Sequence, residues 1–318
     1  MSLKRRWSLL SELLRVDRQM SPLPCPGCGV EDRQRIWRQD RYFLRVDLSI
    51  CRQCGLVHLA RGLSGQAEER FYEHVYPRLM SLTSANLGSF RLMAGYRLQA
   101  IRDVIGMPER VLEVGAGMGF FLDACRAHGV REFFGLEPGA PQHSYLSGTL
   151  GLAGQVAHAP LTADSRFPFV PRLAVMFHVL EHLADPGAAL RQLANALDPQ
   201  GWLVIEVPDI LADWRSLGLW QVHVSHRSYF SAASLSALLQ RSGFTPWYIS
   251  REAHGIYPGN LRVFARPTAG QTAPAVIEPA PVPLPGVADS IRAQIRPWSL
   301  RNGYPRAAVR LLRCAARG

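Results

Sequence analysis

Four cysteines, one glycine-rich turn and two histidine clusters hold the residue types in this chain that can do chemistry. The cysteines fall in two knuckles, Cys25-Pro-Gly-Cys28-Gly and Cys51-Arg-Gln-Cys54-Gly, 22 residues apart. Each Cys-x-x-Cys-Gly turn lets two thiolates converge, and its glycine lets backbone amides point at sulfur. Four thiolates make a closed tetrahedral shell that suits Zn²⁺. Such a shell leaves no open position for a substrate, so the metal is expected to be structural. Disulfides are the alternative, and a reducing compartment disfavours them. Cys125 and Cys314 stand outside the set and read as a core thiol and a tail thiol.

Residues 111–123 read Val-Leu-Glu-Val-Gly-Ala-Gly-Met-Gly-Phe-Phe-Leu-Asp. A short strand of buried-type residues turns sharply at Gly115, Gly117 and Gly119, and a helix starts at Phe120. Glycines suit that turn because it takes positive φ values and lets a ligand approach bare backbone. Nicotinamide, flavin and nucleotide sites share such turns. The distinguishing mark here is Glu113, an acid inside the strand. The alternating run of residues 132–137 then ends in Glu137, 18 positions past Gly119 and just before Pro138-Gly139. A further strand leads into the first histidine cluster, His178-Val-Leu-Glu181-His182. The second cluster is His223-Val-Ser225-His226-Arg227-Ser228-Tyr229-Phe230-Ser231. The plain structural reading of His226 is a hydrogen-bonded residue ahead of a Ser231 helix cap.

The Glu113-x-Gly115-x-Gly117-x-Gly119 turn resembles motif I of the class I S-adenosylmethionine (SAM) methyltransferases. With Glu137 and the segment from His178 to Pro186, the resemblance covers roughly residues 85–267. It implies a SAM site built from Glu113, Gly115, Ala116, Gly117, Gly119, Phe120, Glu137, Pro138 and His178. Glu137 would accept hydrogen bonds from both ribose hydroxyls; a capping role is its bland alternative. A knuckle pair ahead of a SAM domain is similar to sugar C-methyltransferases of deoxysugar pathways and related enzymes of surface-polysaccharide clusters. Residues 223–231 resemble that family's His-Glu-His-x-Ser-Tyr-Phe-Ser segment, whose second histidine is implicated as a base. The resemblance thus implies His226 as the catalytic base, with His223 as fallback. Ser225 departs from the family's Glu, His178 and Glu181 replace its usual residues after the fourth strand, and its third domain has no counterpart. The acceptor is therefore expected among sugars, nucleotide sugars, glycans and other small molecules. His178, Glu181 and His182 are also similar to the Glu-x-x-Glu-His metal sets of some RNA-end and quinone O-methyltransferases, although the form with His first is widespread in relatives without metal.

These groups need a frame that brings distant segments together. Strands are expected at residues 109–114, 132–137, 155–159, 172–178, 202–207, 245–250 and 260–266. Helices are expected at 119–128, 139–149, 186–198 and 232–242. The alternation predicts an α/β fold with a mostly parallel sheet covered on both faces. The family adds an antiparallel last strand to this Rossmann-like class I sheet, with a small N-terminal zinc-ribbon-like module. Two helices around residues 68–76 and 89–105 would cover the SAM pocket, with Tyr72 or Tyr76 either touching ligand or simply packing. The expected domains are an N-terminal amphipathic helix at 1–20, the zinc module at 21–62, the methyltransferase domain at 63–266, a linker at 267–287 and a basic tail at 288–318. Leu3, Trp7, Leu10 and Leu14 would form the helix's docking face, a membrane or partner surface being the alternative. Six prolines mark the linker.

The chain's 318 residues, 47 % hydrophobic, can bury one sizeable core plus a smaller module. No apolar run reaches the roughly 18 residues that span a bilayer. Glu12, Arg15 and Asp17 break the leucine-rich start, so a cytoplasmic protein is expected. The net charge of +11 raises the question of nucleic acid. Seven arginines against Asp289 give the tail +6, and the first twenty residues carry +3, which leaves +2 for everything between. A near-neutral core without a basic-aromatic stripe counts against an RNA-modifying enzyme that uses the zinc module and tail. The tail reads as solvated, or as a contact for an anionic membrane surface or polyanion. A non-catalytic scaffold is the third reading, against which the intact glycine turn and Glu137 count. The oligomeric state is left open.

Overall fold

The computed structural model describes residues 3–79, 84–212, 218–252, 259–268 and 284–298, together with Val309. The leucine-rich start folds as α1 (Leu3–Gln19), which buries Leu9, Leu13 and Val16, with Met20 just beyond. Those buried residues repeat the expected four-three-four spacing; of the expected docking face, Leu14 is 62 % exposed, and the side chains of Leu3, Trp7 and Leu10 lie outside those described. The face is set by what the helix meets: Asp17 binds Arg45 and Arg61 of the following module and so fixes the helix's rotation. That module consists of β1 (Ser21–Pro22), β2 (Arg33–Gln39), β3 (Arg45–Cys51), β4 (Val57–Leu59) and β5 (Arg61–Gly62). Strands β2, β3 and β4 form an antiparallel meander, and β1 pairs with β5. A broken helical run follows: α2 (Gly65–Arg70), a π-helical turn (Phe71–Val75) and α3 (Tyr76–Leu79). The long α4 (Ser84–Ile105) leads into the central sheet.

The sheet is built from β6 (Arg110–Val114), α5 (Phe120–Ala127), β7 (Glu132–Leu136), α6 (Ala140–Gly148), β8 (Val156–Ala157), β9 (Leu173–Phe177), α7 (Pro186–Ala196) and β10 (Trp202–Pro208). After β11 (Ser228–Tyr229) and α8 (Ala232–Arg241), β12 (Phe244–Arg251) and β13 (Asn260–Pro267) close it. The spatial order is β12-β13-β10-β9-β6-β7-β8. Strands β6 to β10 run parallel, and β13 lies antiparallel between β10 and β12. Every residue of β9 is buried, as a parallel strand covered on both faces requires. The expected third strand shrinks to the two residues of β8. No helix among the described residues is long and apolar enough to cross a membrane.

Two features depart from a chain of separate modules. First, β11 pairs with β4, with Ser228 opposite His58 and Tyr229 opposite Val57. The N-terminal sheet therefore takes its fourth strand from the segment that follows β10. Second, α9 (Leu284–Trp298) crosses the expected boundary between linker and tail at 287/288. Val287, Ala288, Ile291 and Ile295 are buried, and Arg292 donates to the carbonyls of Arg35 and Ile36 on β2. The arginine-rich composition concealed that apolar stripe, so the first part of the tail is a docked helix rather than a solvated one. Residues 299–308, residues 310–318 and most of the proline-rich segment lie outside the described residues, and with them the expectations for the tail arginines beyond Arg296 and for Cys314.

Candidate functional site

At the carboxyl end of β6, Gly115 sits at φ 72°, where a Cβ would come 2.4 Å from the Val179 side chain. Gly117 at φ 56° faces open space. These are the two demands of the turn: close packing on one side and an approachable backbone on the other. The amides of Gly115 and Ala116 donate to the Leu136 carbonyl, which locks the turn to β7. Glu137, at the tip of β7, accepts from the Gly117 amide through Oε2 and from the Gly139 amide through Oε1, both at 2.6 Å. Burial raises its carboxyl above the ordinary range while those two N–H groups oppose the rise. Ala116 and Phe120 are buried, and the Pro138 carbonyl lies 3.1 Å from the His158 ring. Glu113 is 4 % exposed with its Oε2 unpartnered among the described residues, and burial pushes its carboxyl well up, Arg97 opposing and Glu137 adding.

These residues fit SAM. A carboxylate has about four lone-pair sites, so two amide bonds leave Glu137 room for two ribose hydroxyls. The open side of Gly117 supplies the matching approach.

His178 stands at the end of β9 with φ 57°, a left-handed conformation that costs a non-glycine residue energy. Its Nδ1 is 3.2 Å from Glu181 Oε1, and its Nε2 is 3.5 Å from Glu206 Oε1 and 3.0 Å from the Asn260 amide. Burial alone would depress its pKa, but the two carboxylates outweigh it and raise the value to about 9. Glu206 on β10 also accepts from Arg97 of α4 and Arg262 of β13, and is held well below the ordinary carboxylate range against its own burial by His178 and Arg97. Sequence reasoning missed this hub; its one signal was an acid in the middle of the apolar run Trp-Leu-Val-Ile-Glu-Val.

The second histidine cluster closes over the first. His182 Nδ1 lies 2.9 Å from the Ser225 carbonyl, and the His182 and His226 rings meet edge-on with centroids 4.8 Å apart. His226 is half-buried; His223 is 2 % exposed, with Nδ1 taken by the Ser225 amide. The fallback base is thus the deeper of the two. Burial depresses the His226 pKa well below the ordinary value, with His182, Arg41 and His178 adding to the effect. Tyr72 donates to the Ser225 carbonyl at 3.3 Å, and Tyr76 sets its ring edge against His223. Both tyrosines therefore pack on this loop. Asp40, also missed, holds the loop from below: its carboxylate accepts from the amides of Tyr42, Leu44 and Val224.

The four cysteine sulfurs lie within 4.8 Å of one another, with Cys25–Cys54 and Cys28–Cys51 at 3.5 Å. Amides of Gly29 and Gly55 close the two knuckles onto the carbonyls of Cys25 and Cys51. Four thiols converging this tightly, with Cys25 and Cys51 buried, suit a structural zinc ion. Cys25, Cys51 and Leu56 belong to the same apolar cluster as Leu180, Leu190 and Leu235.

Comparison with known proteins agrees with this geometry. The chain is 36 % identical over 102 residues to a tRNA U34 carboxymethyltransferase of Syntrophotalea carbinolica, covering 30 % of this chain and 31 % of that protein. It is 23 % identical over 243 residues to the C-methyltransferase NovU of Streptomyces niveus, covering 73 % of this chain and 54 % of NovU. The chain thus matches about a third of one curated relative and about half of the other. In fold it is similar to the Burkholderia thailandensis 1,6-didemethyltoxoflavin-N1-methyltransferase, solved with 1,6-didemethyltoxoflavin and S-adenosylhomocysteine, with TM-score 0.51, 19 % identity, and coverage of 69 % and 97 % of the two chains. Residues 86–249, over half the chain, match the methyltransferase domain family. With that match on the glycine turn, the strand-tip acid and the seven-stranded sheet, the chain belongs to the methyltransferase domain family and has the class I SAM-dependent fold.

Proposed function

We propose that this protein is a SAM-dependent methyltransferase acting on a small-molecule or carbohydrate-type acceptor: a sugar, nucleotide sugar or glycan. The observation that carries the reading is the pairing of β11 with β4 of the zinc module, next to a loop whose His226 ring meets His182 at the carboxyl end of β9. Open α/β sheets bind their ligands at that end. The similarity to the C-methyltransferase NovU over 73 % of this chain supports methyl transfer, and the likeness of residues 223–231 to the segment of the sugar C-methyltransferases supports a carbohydrate-type acceptor.

Bound SAM would supply an electrophilic methyl group, and much of the rate comes from holding it in line with the acceptor. Glu137 would hold the ribose. The turn at Gly115, Ala116, Gly117 and Gly119, flanked by Glu113, Phe120 and Pro138, would let the cofactor approach bare backbone. His178, fixed between Glu181 and Glu206, would set a positive charge beside the cofactor. His226, kept neutral by its surroundings, retains a lone pair at neutral pH and would take the acceptor proton. Tyr72 and Tyr76 would roof the acceptor loop, and Cys25, Cys28, Cys51 and Cys54 would hold zinc away from the chemistry.

The matched segment of the tRNA carboxymethyltransferase favours a second reading, an RNA-modifying enzyme. A screen of methyl transfer from labelled SAM to nucleotide sugars, glycans and RNA separates the two. The expected result is turnover of a sugar-bearing acceptor; exclusive turnover of RNA, with an affinity that falls steeply with salt, supports the second reading instead. On the acceptor found, His226→Ala and His226→Asn should keep SAM affinity but lose about 10²–10⁴-fold in rate, the usual range for a general base. Near wild-type turnover would move the base to His223 or the His178 cluster.

A further inference from the structure

The turn after β9 and the loop before β11 bring together three donor groups of another kind. Glu181, His182 and His226 each offer one ligand atom within 4.8 Å of the other two. Glu181 is 1 % exposed; one carboxylate oxygen faces His178 at 3.2 Å, and the other, Oε2, is buried with no hydrogen-bond partner among the described residues. A buried carboxylate oxygen without a partner is costly, and points to a group the protein side chains do not provide. His182 is already set for such a group. A carbonyl only accepts, so Nδ1 must carry the hydrogen that meets the Ser225 carbonyl at 2.9 Å, and Nε2 keeps its lone pair. A ring nitrogen tied to a backbone carbonyl, with the other left to ligate, is how proteins orient metal-binding imidazoles. His178 backs the carboxylate in the same manner.

We propose that Glu181, His182 and His226 form a site for one divalent first-row metal ion, separate from the four-cysteine shell. Two imidazoles and one carboxylate suit Mn²⁺, Fe²⁺, Co²⁺ or Zn²⁺ and leave coordination positions open. Ligand bonds of about 2.0–2.2 Å hold the donor atoms of one ion within about 4.4 Å of one another, close to the separation these three keep. Occupation of the site takes the His226 lone pair out of service, so the ion acts as a brake on methyl transfer. That consequence rests on His226 being the base; the site itself does not.

The test is a titration of the zinc-loaded full chain with Mn²⁺ alone, followed by electron paramagnetic resonance of the free ion. Mn²⁺ prefers oxygen and nitrogen donors and leaves zinc on thiolates. The expected result is one Mn²⁺ bound per chain, with affinity at least about tenfold weaker in His226→Ala and in Glu181→Gln. His226→Ala is the deciding variant, because His226 is half-buried and unchanged SAM affinity certifies the variant's fold. A wild-type chain that binds no Mn²⁺, or binds it equally well in His226→Ala, overturns the site. A chain that binds Mn²⁺ through His226 yet methylates nothing even after that ion is removed supports the site and counts against the methyltransferase reading. Methyl transfer that Mn²⁺ leaves untouched while occupying the site overturns the brake.

Discussion

Glu137 is held by the amides of Gly117 and Gly139, so in the proposed SAM site a ribose would meet a carboxylate already oriented. Hydrogen bonds to a charged acceptor are worth about 1.5–3 kcal/mol each. Glu137→Ala should therefore weaken SAM binding by at least about 100-fold. Glu137→Gln, which keeps one acceptor oxygen, should fall between. Calorimetry that finds wild-type affinity in Glu137→Ala would remove the residue from the site. Glu137 was legible because an alternating strand ends in an acid at a readable distance from the glycine turn. Glu206 and Asp40 were not, because what gives them meaning is far away in sequence. Glu206 meets Arg97 and Arg262, 109 and 56 positions away, and Asp40 meets Val224 across 184. Spacing rules see only local pairs. The strained φ of His178 likewise follows from a buried ion network that no local pattern announces.

At the scale of elements, the central strands were legible because parallel strands buried on both faces must be apolar runs between turns. The register of α1 and the existence of α9 were less so, since each docks on the N-terminal sheet and its face is chosen by that partner. The same sheet carries the acceptor loop through β11 and through Asp40. Burial pushes the Asp40 carboxyl from the ordinary 3.8 up to about 7, against the pull of the Tyr42 and Leu44 amides, the Arg41 charge and the Val224 amide. The folded chain therefore binds this proton more tightly than the unfolded chain between those two values. Its contribution to stability is complete below the unfolded pKa and is lost as pH rises through about 7. From pH 5 to 7 the loss is about 2 kcal/mol. Asp40→Asn cannot titrate, so its urea stability should fall less than the wild type's over that range. Parallel stability curves for the two proteins would sink the assignment. The same substitution sets an amide N–H₂ against the Val224 amide, or leaves the Tyr42 and Leu44 amides in that position. The variant should thus be the less stable protein at pH 5.

Across the whole molecule, the zinc module and the methyltransferase domain are joined in two ways. They share an apolar cluster containing Cys25 and Cys51, and they share a sheet, because β4 is completed by β11. The SAM-binding turn takes no strand from that module: Gly115 and Glu137 stand on β6 and β7, in the other sheet. Metal removal should therefore separate the two halves of the function. Structural zinc supplies folding free energy directly, and a module of this size rarely folds without it. In a Cys25→Ser, Cys51→Ser double variant, metal content should drop towards zero, and cleavage by added protease should map to the segment containing β2, β3 and β4. Once β4 frays, Ser228 and Tyr229 lose their partners and the loop bearing His226 loses its support. The expected outcome is SAM affinity within a few-fold of wild type together with loss of methyl transfer to the acceptor. Full zinc retention in that variant would dismiss the four-thiolate site. Zinc loss with undiminished methyl transfer would show instead that the acceptor loop holds its shape without β4.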